Sequence, residues 1–477
     1  MGGAYRMNTR TRAGVAAGTV ALVIVVAGAV LLSTTKPATS GGTPSPSVRS
    51  TPLHPASNAP NILIVVTDDQ RQGLGVMPKT RRIFRDGTRY TNAFVSDPLC
   101  CPSRASIFTG RYPHNHGVKT EKEATNLVQA STIEHYLQEA GYRTGIYGKY
   151  LNSWPTPKPP PFFDKWAIFR ASRYGYRNGI WNVNGNIVHV PAYSTGFIGR
   201  RADSFLRSTA SRQGQPWFLY LATAAPHFPF TPAHKYAHAA VPKWNGDAGT
   251  REVNLSDKPP FVGARRSVPL LRGKLLRRAQ FRTLMSVDDM MGRLFHQLRR
   301  LHEARNTLIF FTSDNGFMWG EHGLKGKIVP YTESIRVPLL ARWPGRIPAG
   351  EVDRLVSNVD LAPTILDAAG LSADPARPMD GRSLLGKGRP RKAVLTEYFK
   401  GHKLRMPSWA SLRSHTYQYT EYYRGGRVEF REYYNLLTDP GELHNVIASK
   451  HPTNKAAIRR AAALLHKART CSGASCP

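Results

Sequence analysis

Two uninterrupted apolar runs, each closed by acidic residues, constrain this chain more than any other feature. Ile62-Leu63-Ile64-Val65-Val66 is followed by Thr67-Asp68-Asp69, and Leu308-Ile309-Phe310-Phe311 by Thr312-Ser313-Asp314-Asn315-Gly316. A strand with one wet face alternates polar and apolar side chains. A continuous apolar run instead suits a strand covered on both faces, as in a parallel sheet held between layers of helices. In open α/β sheets, sites form outside the carboxyl ends of the strands, so both acidic pairs would face one crevice. Asp68, Asp69, Asp314 and Asn315 make an all-oxygen donor set, suited to Ca²⁺ or Mg²⁺ rather than zinc. Taken singly, each pair also reads as a strand-end turn or a helix cap.

The stretch Leu99-Cys100-Cys101-Pro102-Ser103-Arg104 through Gly110 predicts a helix. Pro102 suits its first turn, and Gly110 the left-handed position just past its end. Cys100 then stands at the helix N-terminus, where unpaired N–H groups favour an anion, with Arg104 one turn further on. This is a seat for a nucleophile facing an anionic substrate; a buried thiol pair packed as small hydrophobes is the plainer alternative. Ser131-Thr132-Ile133-Glu134 predicts a capping box opening a helix that stops at Gly141, after which a strand near Arg143 to Tyr147 delivers Gly148-Lys149. The strand Pro216 to Ala222 leads to Pro226-His227, and Gly326 to Lys327. Alone, Lys149 reads as solvated and His227 as a core histidine; emerging at one rim, they could grip a tetrahedral anion.

Cys100-Cys101-Pro102-Ser103-Arg104 with Thr109-Gly110-Arg111 resembles the signature of the type I, formylglycine-dependent sulfatases. The resemblance extends in order over residues 61 to 446. Its wording at Tyr112-Pro113-His114-Asn115-His116, Gly148-Lys149-Tyr150-Leu151-Asn152 and Ala225-Pro226-His227 is most similar to N-acetylglucosamine-6-sulfatase and the extracellular heparan sulfate endosulfatases, whereas Glu321-His322-Gly323-Leu324-Lys325 resembles the broader bacterial, arylsulfatase-type members. It implies an alkaline-phosphatase-like α/β core. It also implies that Cys100 is oxidised to formylglycine by a formylglycine-generating enzyme, and that Ca²⁺, ahead of Mg²⁺, is held by Asp68, Asp69, Asp314, Asn315 and the residue at position 100. One hydroxyl of the hydrated aldehyde would attack sulfur while Lys149, His227 and Lys327 neutralise the sulfate oxygens and Arg104 holds the hydrate. The other hydroxyl would then expel sulfate. Leu151 stands where many members carry a histidine base, leaving His114, His116 and His322 as candidates for that role. The implied substrate is a sulfated small molecule or glycan. The alternatives are a phosphonate or phosphodiester hydrolase of the same superfamily and a non-catalytic polyanion-binding surface protein.

Composition and chain ends complete the reading. Lys+Arg 66 against Asp+Glu 31 gives a net charge of +35, which favours anionic partners, yet no basic run or nucleic-acid motif accompanies it. Arg6, Arg10 and Arg12 precede the uncharged stretch Ala13 to Leu32, so residues 1–36 read as a signal peptide or a membrane anchor that places the body outside the cytoplasm. Residues 37–60 form a Pro/Ser/Thr-rich linker. A catalytic domain is predicted over 61–375, with a large mostly parallel sheet between helices. A Pro/Gly-rich connection then leads to a small α+β subdomain over 391–470 with an antiparallel sheet. In the tail, 471–477, Cys471 and Cys476 could close a small disulfide loop, as fits an exported chain. Arg170, Arg173, Tyr174, Tyr176, Arg177 and Trp181 read either as a sugar-facing rim or as a solvated loop, and Asp288 and Asp289 as structural carboxylates on a helix from Arg277 to Arg300.

Overall fold

The two apolar runs become neighbouring strands. Asn61–Thr67 lies between Thr307–Ser313 and Trp217–Ala222, parallel to both, with Ile62 opposite Leu308 on one side and Phe218 on the other. The computed structural model describes residues 59–477 apart from 170–174, 211–213, 265–266, 387–389 and 402–405. The predicted export segment therefore lies outside the described residues, as does the linker up to residue 58 and Arg170, Arg173 and Tyr174 of the basic loop. Among the described residues no helix is long and apolar enough to cross a membrane.

The main sheet has ten strands, in the order Gly350–Ser357, Thr88–Phe94, Leu339–Arg342, Thr307–Ser313, Asn61–Thr67, Trp217–Ala222, Arg143–Gly148, Lys165–Phe169, Gly179–Val183 and Asn186–Val190. Only Leu339–Arg342 and Gly179–Val183 run antiparallel to both of their neighbours. Side chains alternate between the two faces, and each face has its own core. Ile62, Ile64, Phe218, Tyr220 and Phe310 pack against the helices Cys100–Thr109, Ile133–Glu139 and Leu361–Ala369. Leu63, Val65, Leu219, Leu221 and Phe311 pack against Ser194–Ala210 and Leu270–Arg300. Each such side chain, fully buried, contributes about 1.5–3 kcal/mol by leaving water, which is why the polar strand ends can be used for function.

Several expectations are refined. Glu134 does not close a capping box: Thr132 caps the helix by position only, without a side-chain bond, and the carboxyl of Glu134 is buried. The long helix begins at Leu270, earlier than its apolar stripe indicated. Asp288 accepts from the amides of Lys79 and Thr80 at the start of the helix Pro78–Ile83, while Asp289 pairs with Lys79 and Lys235. Tyr176 and Trp181 are core residues, with the Tyr176 hydroxyl donating to the His227 carbonyl at 2.7 Å.

The carboxyl-terminal residues form a separate antiparallel sheet, ordered Val394–Tyr398, Ser408–Arg413, Tyr417–Arg424 and Arg427–Asn435. Gly425 and Gly426 take positive φ between the paired Arg424 and Arg427, the two-residue hairpin turn their sequence asks for. The helix Pro452–Ala468 covers this sheet, and Cys471 and Cys476 are joined as a disulfide.

Candidate active site

Polar side chains converge on one crevice because the strands that carry them end there. Asp68 and Asp69 follow the strand Asn61–Thr67, Asp314 and Asn315 follow Thr307–Ser313, Lys149 follows Arg143–Gly148, and His227 lies a few residues past Trp217–Ala222. Gly148 has φ 116°, and a Cβ there would sit 1.8 Å from the Ala222 carbonyl oxygen, so glycine alone permits the turn that lets the Lys149 amide bond that oxygen. Cys100 is the first residue of the helix Cys100–Thr109, and Gly110 closes it in the left-handed conformation at φ 66°. Lys327 comes from the loop after the two-stranded ribbon Met318–Trp319 and Lys325–Gly326.

Cys100 is fully buried, with its Sγ 3.4 Å from Asp68 Oδ1 and 2.6 Å from Lys327 Nζ. The Lys327 ammonium also touches Asp69 Oδ1 and lies 3.3 Å from Asn315 Oδ1. Lys149 Nζ lies 2.5 Å from Asp68 Oδ2. Arg104, wholly buried, directs Nε (2.9 Å) and Nη2 (2.8 Å) at Asp314 Oδ2 and donates from Nη1 to the Lys149 carbonyl at 2.9 Å. The other oxygen of Asp314 accepts the Asp69 amide at 3.2 Å. His227 stands at the mouth, part exposed, with Nε2 3.8 Å from Asp69 Oδ2.

Electrostatics here are set by mutual burial. Burial alone would raise Asp68, but Lys149, His227, Arg104 and Lys327 together hold its carboxyl well below the usual range, so it stays ionised. Burial, with Asp68 beside it, pushes the Cys100 thiol well up. An unmodified cysteine in this seat is therefore a neutral thiol at neutral pH, unlike the thiolate of a cysteine hydrolase. Lys149 and Lys327 are held protonated by Asp68 and Asp69 against the opposing effect of burial.

The site gathers groups able to hold a metal ion. Ligand atoms of Asp68, Asp69, Cys100 and His227 lie within 4.8 Å of one another, and the Asp69 and Asn315 oxygens already converge on one positive group, the Lys327 ammonium. His227 thus joins the cluster, which donor chemistry alone did not indicate, while the second oxygen of Asp314 is taken up by Arg104.

The three histidines considered as bases are held elsewhere. His114 bonds Glu397 Oε2 at 2.7 Å and the Cys471 carbonyl at 2.9 Å, two acceptors that call for protonated nitrogens. His116 accepts the Val118 amide and contacts Ser106 Oγ, and burial lowers its pKa to about 3, so it stays neutral. His322 bonds Glu252 and packs on the Tyr331 ring. Leu151 faces the apolar core beside Tyr150 and Trp154. Among the described residues, His227 is the one imidazole in contact with the carboxylates around Cys100.

Residues 60–371 match the family profile described as Sulfatase, and residues 320–468 that described as N-sulphoglucosamine sulphohydrolase, C-terminal. The chain is 32% identical to human N-acetylglucosamine-6-sulfatase, over 87% of this chain and 86% of that protein. It is 35% identical to the Drosophila melanogaster extracellular sulfatase SULF-1 homologue over 68% of this chain, but spans only 31% of that relative's length. A Caenorhabditis elegans Sulf-1 homologue is likewise spanned over 50% of its length. A protein solved in complex with its substrate D-glucosamine-2-N,6-O-disulfate shares the fold, with TM-score 0.73 at 24% identity over 86% of this chain and 97% of that one. With the profile matched from the strand that leads to Asp68 to the helix that closes at Gly370, the chain belongs to the sulfatase family.

Proposed function

We propose that this protein is an exported sulfatase that hydrolyses sulfate monoesters of a sulfated glycan, using formylglycine made from Cys100 and a bound Ca²⁺. One observation carries the reading: Cys100 opens a helix and is enclosed by Asp68 and Lys327, with Lys149 and Arg104 behind them. Asp68, Asp69 and Asp314 carry three negative charges, and Lys149, Lys327 and Arg104 three positive ones. A divalent cation and an anionic ester can then be taken up together near charge balance. Asp68, Asp69, Asp314 and Asn315 would hold the cation, which supplies Lewis-acid neutralisation of a sulfate oxygen, and formylglycine supplies a hydroxyl nucleophile.

The chain's own groups account for the remaining steps. Arg104 is fixed by Asp314 and by the Lys149 carbonyl, so its charge beside position 100 needs no reorganisation during reaction. In this reading Lys149, which reaches Asp68, and Lys327, in contact with Cys100 Sγ, would bind non-bridging sulfate oxygens, and His227 beside Asp69 would hand a proton to the departing alcohol. The names of the relatives support a glucosamine-type glycan and secretion, the latter in keeping with the export segment read at 1–36. The test is the mass of the Cys100 peptide from active protein, together with turnover on matched sulfate and phosphate esters. An unmodified thiol in fully active protein, or faster turnover of the phosphate ester, refutes the proposal.

A further inference from the structure

The helices Ser194–Ala210 and Leu270–Arg300 cover one face of the main sheet, and at their edge lies a groove of about 790 Å³. Its walls bring together Arg82, Arg85, Arg200, Arg293, Arg299 and Arg300, all exposed. In the groove Asp289 pairs with Lys79 and Lys235, and Asp203 with Arg207; among the described residues no ion pair involves these six guanidiniums. Arg85 shortly precedes the strand Thr88–Phe94, and Arg299 and Arg300 end the helix that leads into Thr307–Ser313. This end of the groove therefore sits at the amino ends of strands whose carboxyl ends lead to Cys100 and Asp314. Strands of this length rise about 3.3 Å per residue, which separates the groove from the reacting centre by roughly 20 Å.

Guanidinium forks match sulfate and carboxylate groups bidentately, and several of them along an extended groove suit a linear ligand with repeated anions better than one small ion. A membrane surface fits less well. None of the large apolar side chains that the described residues expose, such as Phe228 or Leu271, lines the groove; of its own apolar residues Ile83 and Leu294 are buried and Phe295 is half-buried, a poor surface for inserting among lipids. We propose that the groove is a second binding site, for a sulfated polysaccharide, that docks a polymeric chain away from the ester being cleaved. Only the identity of the polyanion rests on the sulfated-glycan reading above.

The test compares the full chain with its Arg82→Glu/Arg293→Glu/Arg299→Glu variant, using heparin as the probe across a salt series. Heparin affinity near physiological salt should fall at least tenfold, and the slope of log affinity against log salt should flatten by about two, since each contact contributes roughly 0.7–0.9 to it. KM for a sulfated polysaccharide should rise at constant kcat. Turnover of a small aryl sulfate should not change, which also reports an intact fold. Unchanged heparin affinity overturns the proposal, and so does a loss confined to phosphatidylserine vesicles. If the wild-type chain cleaves no sulfate ester, the catalytic reading fails while the heparin titration still decides the groove.

Discussion

Replacing Glu134 by Gln should gain stability relative to the wild type as the pH rises above 4.5, so that the variant is the more stable protein in alkali. Glu134 lies on the helix Ile133–Glu139, fully buried, and no hydrogen bond of normal geometry reaches either carboxyl oxygen. Burial pushes its pKa from 4.5 to about 8, with the Thr132 hydroxyl and its own amide pulling it only partly back. The folded state therefore holds a proton that the unfolded state gives up above pH 4.5, so stability is full below that value and is lost as the pH climbs toward 8. At about 1.36 kcal/mol per pH unit, the loss is about 3 kcal/mol at pH 7 and levels off near 5 kcal/mol above pH 8. Gln keeps the shape and cannot ionise, but its amide donors also lack partners, a pH-independent offset of about 1–3 kcal/mol. The readout is accordingly the change in stability between pH 5 and pH 9, from denaturant unfolding followed by tryptophan fluorescence, because the offset cancels. The wild type should lose several kcal/mol more than Glu134→Gln over that interval. Parallel stability curves for the two proteins would show that the carboxyl is hydrated or partnered, and the reasoning would fall.

Cys100→Ala should abolish sulfate-ester turnover and labelling by an aldehyde reagent. Cys101→Ala, which removes only a thiol from the apolar core, should keep most of both. Asp69→Asn should lose bound Ca²⁺ by elemental analysis with an unchanged circular dichroism spectrum; Asp314→Ala should in addition cost about 3–5 kcal/mol, because Arg104 is left buried without its carboxylate. His227→Gln should lower kcat by about 10²–10⁴-fold, the usual scale of a lost proton donor, whereas His114→Gln should lower Tm and leave kcat nearly unchanged, since His114 ties Glu397 to the Cys471 carbonyl. Equal kinetic losses in these two histidine variants would contradict the assignment.

What could be read from the sequence was what local chemistry dictates. The apolar runs around Ile64 and Phe310 suit doubly covered strands, which they form, and Asp68 and Asp314 follow them by continuity of the chain. Pro102 and Gly110 bracket the cysteine helix for steric reasons that need no knowledge of the fold. Thr88–Phe94 escaped notice because Arg89, Thr91 and Asn92 break its apolar pattern, although it pairs with two strands of the main sheet. Ser408–Arg413 was missed in the same way: its partners flank it only after the chain has doubled back. Proximity in sequence also misled. His114 and His116 stand close to Cys100 along the chain, yet the turn at Tyr112-Pro113 carries them toward the carboxyl terminus and into the core, whereas His227 arrives from a different strand.

The antiparallel sheet matters to the site through the segment that carries Lys327. Ile328, the next residue, is β-branched and has φ 72°, a left-handed conformation that costs on the order of 1–3 kcal/mol unless the surroundings impose it. The surroundings are the second sheet: Trp409 Nε1 donates to the Ile328 carbonyl at 3.0 Å, and Gln418 Nε2 to the Pro330 carbonyl at 2.9 Å. Just beyond, the Tyr331 hydroxyl donates to Glu432 at 2.9 Å, and Glu442 accepts the Thr332 amide at 3.0 Å and Arg413 Nη1 at 2.6 Å. Two buried carboxylates and two neutral donors from the carboxyl-terminal subdomain thus fix a short loop of the catalytic one. A lysine side chain has ample rotamer freedom of its own, so a fixed Lys327 ammonium beside Cys100 requires a backbone that does not move. The Pro/Gly-rich connection read as a boundary marks where the chain changes sheets. Among the described residues, the carboxyl-terminal subdomain contributes no side chain to the Cys100 cluster but holds in place one that does.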